Sequence, residues 1–108
     1  MVIQGKRASV GTCTGTVQWI TSAKHVQMLK PGNILATKMT TPDWIEAFVY
    51  IKQNGGGMIT SLGGLTCHAA VVCREYKIPC VVSVPDAQSL DGKVVTIDGA
   101  TGEVHVHD

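Results

Sequence analysis

The chain has 108 residues, 44% of them apolar, which matches one ordinary domain spanning 1–108 with a single core and excludes two. Nine Lys and Arg nearly balance eight Asp and Glu, and charged residues make up 16% against roughly 25% in typical domains, so there is no basic footprint for nucleic acid or anionic lipid. Five aromatics without regular spacing exclude a stacking series for single-stranded bases, and no apolar run nears the roughly 18 residues of a membrane helix.

The N-terminus, MVIQGKRASVGTCTG, lacks the apolar stretch of a signal peptide, so a cytoplasmic chain is expected. Residues 8–20 are rich in Thr, Val and Gly and predict strands broken by a bulge or turn at the glycines. Pro31-Gly32 marks a turn, and Asn33 to Lys38 reads as a short strand. Thr41, Pro42 and Asp43 form a helix start with a candidate cap, a first-turn proline and an acid at the positive end. Trp44, Ile45, Phe48, Val49 and Ile51 or Lys52 then follow helical spacing, in a helix that should end before Gly55-Gly56-Gly57.

Met58 to Ser61 predicts another strand, and Leu62-Gly63-Gly64 a tight loop. From Thr66 to Tyr76 the apolar positions Leu65, Ala69, Val72, Cys73 and Tyr76 recur at three and four, which predicts a helix with His68 in its first turn. Lys77-Ile78-Pro79 stops it. Cys80 to Val84, Lys93 to Ile97 and Glu103 to His107 complete the strands. The count is a mainly β chain with two helices, including one strand, loop, helix, strand unit around His68.

That unit carries the chemistry. A glycine pair leading into a helix lets an anion approach the backbone, where unpaired amides and the helix dipole favour negative charge. The same positive end favours a neutral imidazole, whose ring lone pair is then free for nucleophilic attack. Once a phosphoryl group sits on that nitrogen, the amides and dipole stabilise its charge.

The segment GGLTCHAAVVCREYKIPCVV resembles the phosphohistidine signature of the phosphoenolpyruvate-utilising enzymes, the family of phosphoenolpyruvate synthase and pyruvate phosphate dikinase. Gly63, Gly64, Thr66, Cys67, His68, Ala69, Ala70, Arg74, Glu75, Ile78, Pro79 and Val81-Val82 stand in register with that pattern. The likeness extends to Thr41-Pro42-Asp43-Trp44 and to Asp98 through Val104. Cys73 stands where the family usually has alanine and Ser83 where it has glycine.

The resemblance implies an α/β fold, the swivelling β/β/α domain, mainly β with two or more helices packed on the sheet. It implies a phosphotransferase module, incomplete as an enzyme alone, in which His68 is transiently phosphorylated. The phosphate would travel between an ATP-grasp-like nucleotide-binding domain and a phosphoenolpyruvate/pyruvate barrel, in cis or in trans. Gly63, Gly64, Thr66, Cys67 and Arg74 match the loop and its supporting positions, and Thr66 matches a threonine that is a regulatory phosphorylation site in some members. A capping hydroxyl is the plainer role for Thr66. No cofactor or metal is expected on the chain itself; magnesium and ATP belong to the partner domains. The alternative function is a non-catalytic binding or regulatory module that keeps the swivelling fold.

Other residues carry weaker signals. Cys13, Cys67, Cys73 and Cys80 are irregularly spaced without C-x-x-C, which fits free thiols rather than a zinc or redox site. Cys67 and His68 are adjacent, so on a helix they point about 100° apart and do not form a Cys-His dyad. His105 and His107 share one face of a strand but have no third ligand nearby in sequence, and His25 lies in a polar stretch.

Overall fold

The computed structural model describes residues 1–107. Its strands are β1 (Val2–Gln4), β2 (Lys6–Ser9), β3 (Thr12–Trp19), β4 (Ile34–Thr37), β5 (Gly57–Thr60), β6 (Cys80–Val82), β7 (Val94–Asp98) and β8 (Glu103–His107). Two α-helices, α1 (Ile45–Asn54) and α2 (His68–Tyr76), follow β4 and β5, and short 3-10 turns cover Ala23–Met28, Pro42–Trp44 and Ala87–Leu90.

The strands run in the order β1-β8-β7-β3-β4-β5-β6-β2. Strand β3 joins two sheets. Its first half, Thr12 to Thr16, pairs antiparallel with β7, whereas Val17 to Trp19 pair parallel with β4. From there β4, β5 and β6 are parallel, and β2 closes that edge antiparallel to β6. The N-terminal segment does the same on the other side: β1 pairs with β8 and, one glycine later, β2 pairs with β6.

Alternation in the parallel strands sorts their side chains into two cores. Ile34, Ala36, Ile59 and Val81 pack with Ile97 and Val104 between the two sheets. Their neighbours Leu35, Met58, Cys80 and Val82 face the helices, where Phe48, Ile51, Ala70 and Cys73 meet them. Strands buried on both faces read as short apolar runs rather than as alternation, which is why Met58 to Ser61 and Cys80 to Val84 were visible in the sequence. The result is the β/β/α layering that the resemblance implied.

Several expectations are corrected. α2 begins at His68, two residues later than the spacing predicts, because Leu65 and Thr66 form a turn and Leu65 is exposed rather than packed. The N-cap is therefore Cys67, with no side-chain capping bond, so Thr66 is not the cap. Thr41 does precede the first turn, but its hydroxyl bonds the Asp43 carboxylate and not a backbone amide. On α1 the buried residues are Ala47, Phe48 and Ile51, while Ile45 and Val49 face outward.

The departure at Ser83 has a backbone cost. Its φ is +55°, a left-handed conformation that burdens any residue with a Cβ by about 1–2 kcal/mol. Ser83→Gly should stabilise the chain by about 0.5–1 kcal/mol after allowing for glycine's greater freedom when unfolded. Urea unfolding would show this as a higher midpoint at unchanged slope; an unchanged midpoint would mean that the serine is unstrained.

Candidate active site around His68

Parallel strands β4 and β5 end side by side, with Thr37 opposite Thr60 in register. The chain leaving β4 carries Thr40, and the chain leaving β5 carries the glycine loop and His68. Ligand sites in α/β sheets form at such carboxyl ends, and here a hollow of about 300 Å³ opens between Met39, Thr40, Thr60, Leu62, Gly63 and His68.

His68 is the first residue of α2 and is half-buried. Its Nδ1 lies 2.7 Å from the Thr40 hydroxyl oxygen, and its ring stands edge-on to buried Phe48 with centroids 5.8 Å apart. The two contacts fix the imidazole from opposite requirements, one polar and one apolar. Among the described residues Nε2 makes no hydrogen bond, so it is the ring nitrogen left for an incoming group. At a helix start the first amides have no intrahelical acceptor. The Cys67 amide donates to Gly64 O at 3.2 Å, and the amides that follow it are the anion-favouring ones.

The loop is held by its own bonds. Thr60, fully buried, donates its hydroxyl to Leu62 O at 2.6 Å, and the amides of Ser61 and Leu62 donate to Thr37 O and Lys38 O. The two glycines differ in kind. Gly63 has φ +117°, and a Cβ there would lie 2.7 Å from Cys67 Sγ. Gly64 has no positive φ, and a Cβ there would meet nothing within 4 Å. The fold requires the first glycine, whereas an anion approaching the loop would require the second. Gly64→Val should therefore leave the melting temperature nearly unchanged and lower phosphorylation at least about tenfold. A parallel loss of both would make Gly64 a structural turn.

The remaining residues singled out in the sequence are distributed as follows. Cys67 lines the hollow, and its sulfur packs over Gly63. Thr66 is exposed on the turn two residues before His68. Arg74 does not line the hollow: its Nε donates to Ala8 O at 2.7 Å, which ties α2 to β2. All four cysteines are free. A hydrogen bond that the Cys80 thiol makes to Cys73, together with burial, holds the Cys80 thiol well above its ordinary range, and burial raises Cys13. His107 Nε2 lies 2.7 Å from the Thr96 hydroxyl, and His105 is 3.8 Å from Glu103. Among the described residues no three His, Cys, Asp or Glu side chains converge as a metal site would require.

Thr40, Thr60 and Phe48 were not singled out in the sequence as site residues. Thr40 is 28 positions from His68 in a polar run, and only the parallel pairing of β4 with β5 brings the two together. A threonine just beyond a short buried strand was the one available signal.

Comparison with known proteins places this geometry. The family described as "PEP-utilising enzyme, mobile domain" matches residues 29–102. The chain belongs to that family. The mobile domain is 40% identical over 107 residues to a protein of Archaeoglobus fulgidus named probable phosphoenolpyruvate synthase, covering 97% of the chain but 14% of that relative. Among solved structures it resembles Enzyme I, at 27% identity and TM-score 0.59, over 76% of this chain and 33% of that one. It also superposes on aconitase X of Thermococcus kodakaraensis with TM-score 0.75 over 100% of this chain and 99% of that one, at 18% identity, a likeness of fold alone. The chain spans about 14% of the length of the Archaeoglobus fulgidus relative, the rest of which implies other domains in cis. No helix among its described residues is long and apolar enough to cross a membrane.

Proposed function

We propose that this chain is a phosphoryl carrier in which His68 is transiently phosphorylated at Nε2. Its place at the start of α2, with Nδ1 held by Thr40, is the observation that carries the reading. With Nδ1–H donating to the Thr40 oxygen, the lone pair resides on Nε2. Attack on phosphoenolpyruvate forms an Nε2–P bond as the P–O bond to the enolate breaks, and the enolate takes up a proton to give pyruvate. The reverse sequence, or transfer to and from a nucleotide phosphate, uses the same nitrogen. Positive charge that develops on the ring is shared with Nδ1–H, where Thr40 accepts it. The first-turn amides of α2 then face the anionic product.

Phosphoryl transfer also requires cations around the moving group, and the hollow contains no Lys or Arg. Magnesium and ATP would be held by a nucleotide-binding domain of the ATP-grasp kind, and pyruvate by a separate barrel, in cis or in trans. Thr66, exposed on the turn two residues before His68, would carry a regulatory phosphate whose charge opposes docking of the phosphoryl group. The fold alone would equally suit a non-catalytic module; the nucleophile with its oriented ring favours transfer.

The test mixes the pure chain with magnesium, ATP and phosphoenolpyruvate and follows intact mass. No label should appear until the nucleotide-binding and barrel domains of a phosphoenolpyruvate synthase are added. Turnover by the pure chain alone would show a complete active site within it, and no labelling with partners present would overturn the carrier reading.

A further inference from the structure

Both arginines of the chain, Arg7 and Arg74, line one surface hollow of about 260 Å³ together with Val10 and Leu65. Val10 and Arg74 also line a second hollow of about 340 Å³, which Lys77 shares. The two make one groove over the edge where α2 meets β2. No acidic side chain lines either hollow, and among the described residues none of the three cations is in an ion pair. The acids nearest in sequence do not neutralise them: Asp98 accepts from the Ala100 amide, and Glu75 makes no ion pair.

Fold stability accounts for part of this arrangement. Arg74 ties α2 to β2 through Ala8 O, and Lys77 ends α2 in a left-handed conformation. It does not account for Arg7, whose side chain makes no hydrogen bond among the described residues, nor for Val10, which at 78% is the most exposed large apolar residue. Leu65 beside it is 49% exposed. Arginine next to an aliphatic surface is the composition of a protein interface rather than of a solvated face. The Ala8 bond also holds the Arg74 guanidinium in place, so less side-chain entropy is lost when an acceptor arrives.

We propose that this groove docks an acidic protein segment, with carboxylates on Arg7 and Arg74 and an aliphatic side chain over Val10 and Leu65. Charge complementarity selects the carboxylates, since planar guanidinium groups match them two bonds at a time. A free phosphate would leave Val10 and Leu65 wet, and no aromatic lines the groove to stack a nucleobase. Leu65 belongs to the loop before His68, so a segment seated here abuts that loop without entering the His68 hollow, with which the groove shares no residue.

The experiment is an NMR titration of the labelled chain with a synthetic peptide alternating glutamate and leucine. Its glutamine counterpart, inorganic phosphate and oligothymidylate are the other arms. Saturable shifts at Arg7, Val10, Leu65 and Arg74 are expected, weakened about tenfold or more by the glutamine peptide and by Arg7→Glu. Arg7→Glu removes no bond of the fold, and Lys77→Glu gives a second variant whose effect should have the same direction. Equal binding of the glutamine peptide, insensitivity to both variants, or no saturable shift at millimolar peptide overturns the proposal. Phosphate or oligothymidylate reproducing the arginine shifts more tightly than the peptide does also overturns it, in favour of a general anion or nucleic-acid site. No phosphoryl transfer is read, so failure here leaves the role of His68 standing.

Discussion

His68→Ala should reduce phosphorylation of the chain to background when the partner domains, magnesium and phosphoenolpyruvate are supplied. The reason is chemical rather than structural. The imidazole supplies a nitrogen lone pair in the hollow that is both oriented and unshared, because Nδ1 is held by Thr40 while Nε2 has no partner among the described residues. The two hydroxyls that line the hollow with it are engaged, Thr40 with His68 and Thr60 with Leu62 O. The product should be a phosphoramidate, lost in acid and stable in alkali, whereas an ester on exposed Thr66 would survive acid. Thr66→Ala therefore serves as the control and should still be labelled. Phosphate that survives acid, or that persists in His68→Ala, would assign the acceptor elsewhere.

Loss of the ring also removes an edge-on contact with Phe48, worth about 0.5–1.5 kcal/mol. This is small beside the stability of a domain of this size. His68→Phe keeps the aromatic contact and removes both nitrogens, so it should fold, less stable by about 1–3 kcal/mol for the buried Thr40 hydroxyl left unpaired, and remain unlabelled. A His68→Phe protein that still takes up phosphate would argue against the histidine as directly as the alanine variant does.

The proposed nucleophile, His68, was legible in the sequence because its signals are local. Gly63, Gly64 and His68 lie within six consecutive positions, and a helix start next to a glycine loop has the same electrostatics wherever it occurs. What the sequence could not supply was the partner of the ring. Thr40 reaches His68 because β4 and β5 run parallel in a register that ends Thr37 opposite Thr60, a long-range fact that no local pattern encodes. The same limit applied to the first strands. β1 and β2 are separated only by Gly5, yet they pair with β8 and β6 at opposite ends of the strand order. Arg74 shows the converse limit: its place in the motif groups it with His68, but six residues along a helix turn it out of the His68 hollow, and its Nε bonds Ala8 O on β2 instead.

Thr40→Val should lower the rate of His68 phosphorylation about 10- to 100-fold while preserving the fold. Valine matches threonine in size at this buried position, 3% exposed, so the cavity stays filled and only the hydroxyl is lost. During attack the ring gains positive charge, and a hydrogen bond from a charged Nδ1–H to Thr40 contributes about 1.5–3 kcal/mol; each 1.4 kcal/mol withheld from the transition state is a factor of about ten. With the Thr40 oxygen as acceptor, the hydroxyl also keeps the proton on Nδ1 and the lone pair on Nε2. Thr40→Val should accordingly shift the 15N resonances of the unphosphorylated ring toward a tautomer mixture, and Thr40→Ser should restore both signature and rate. A merely structural Thr40 would leave those resonances unmoved. Wild-type rates in Thr40→Val, with the ring tautomer unchanged, would mean that Phe48 and the loop orient the imidazole without it.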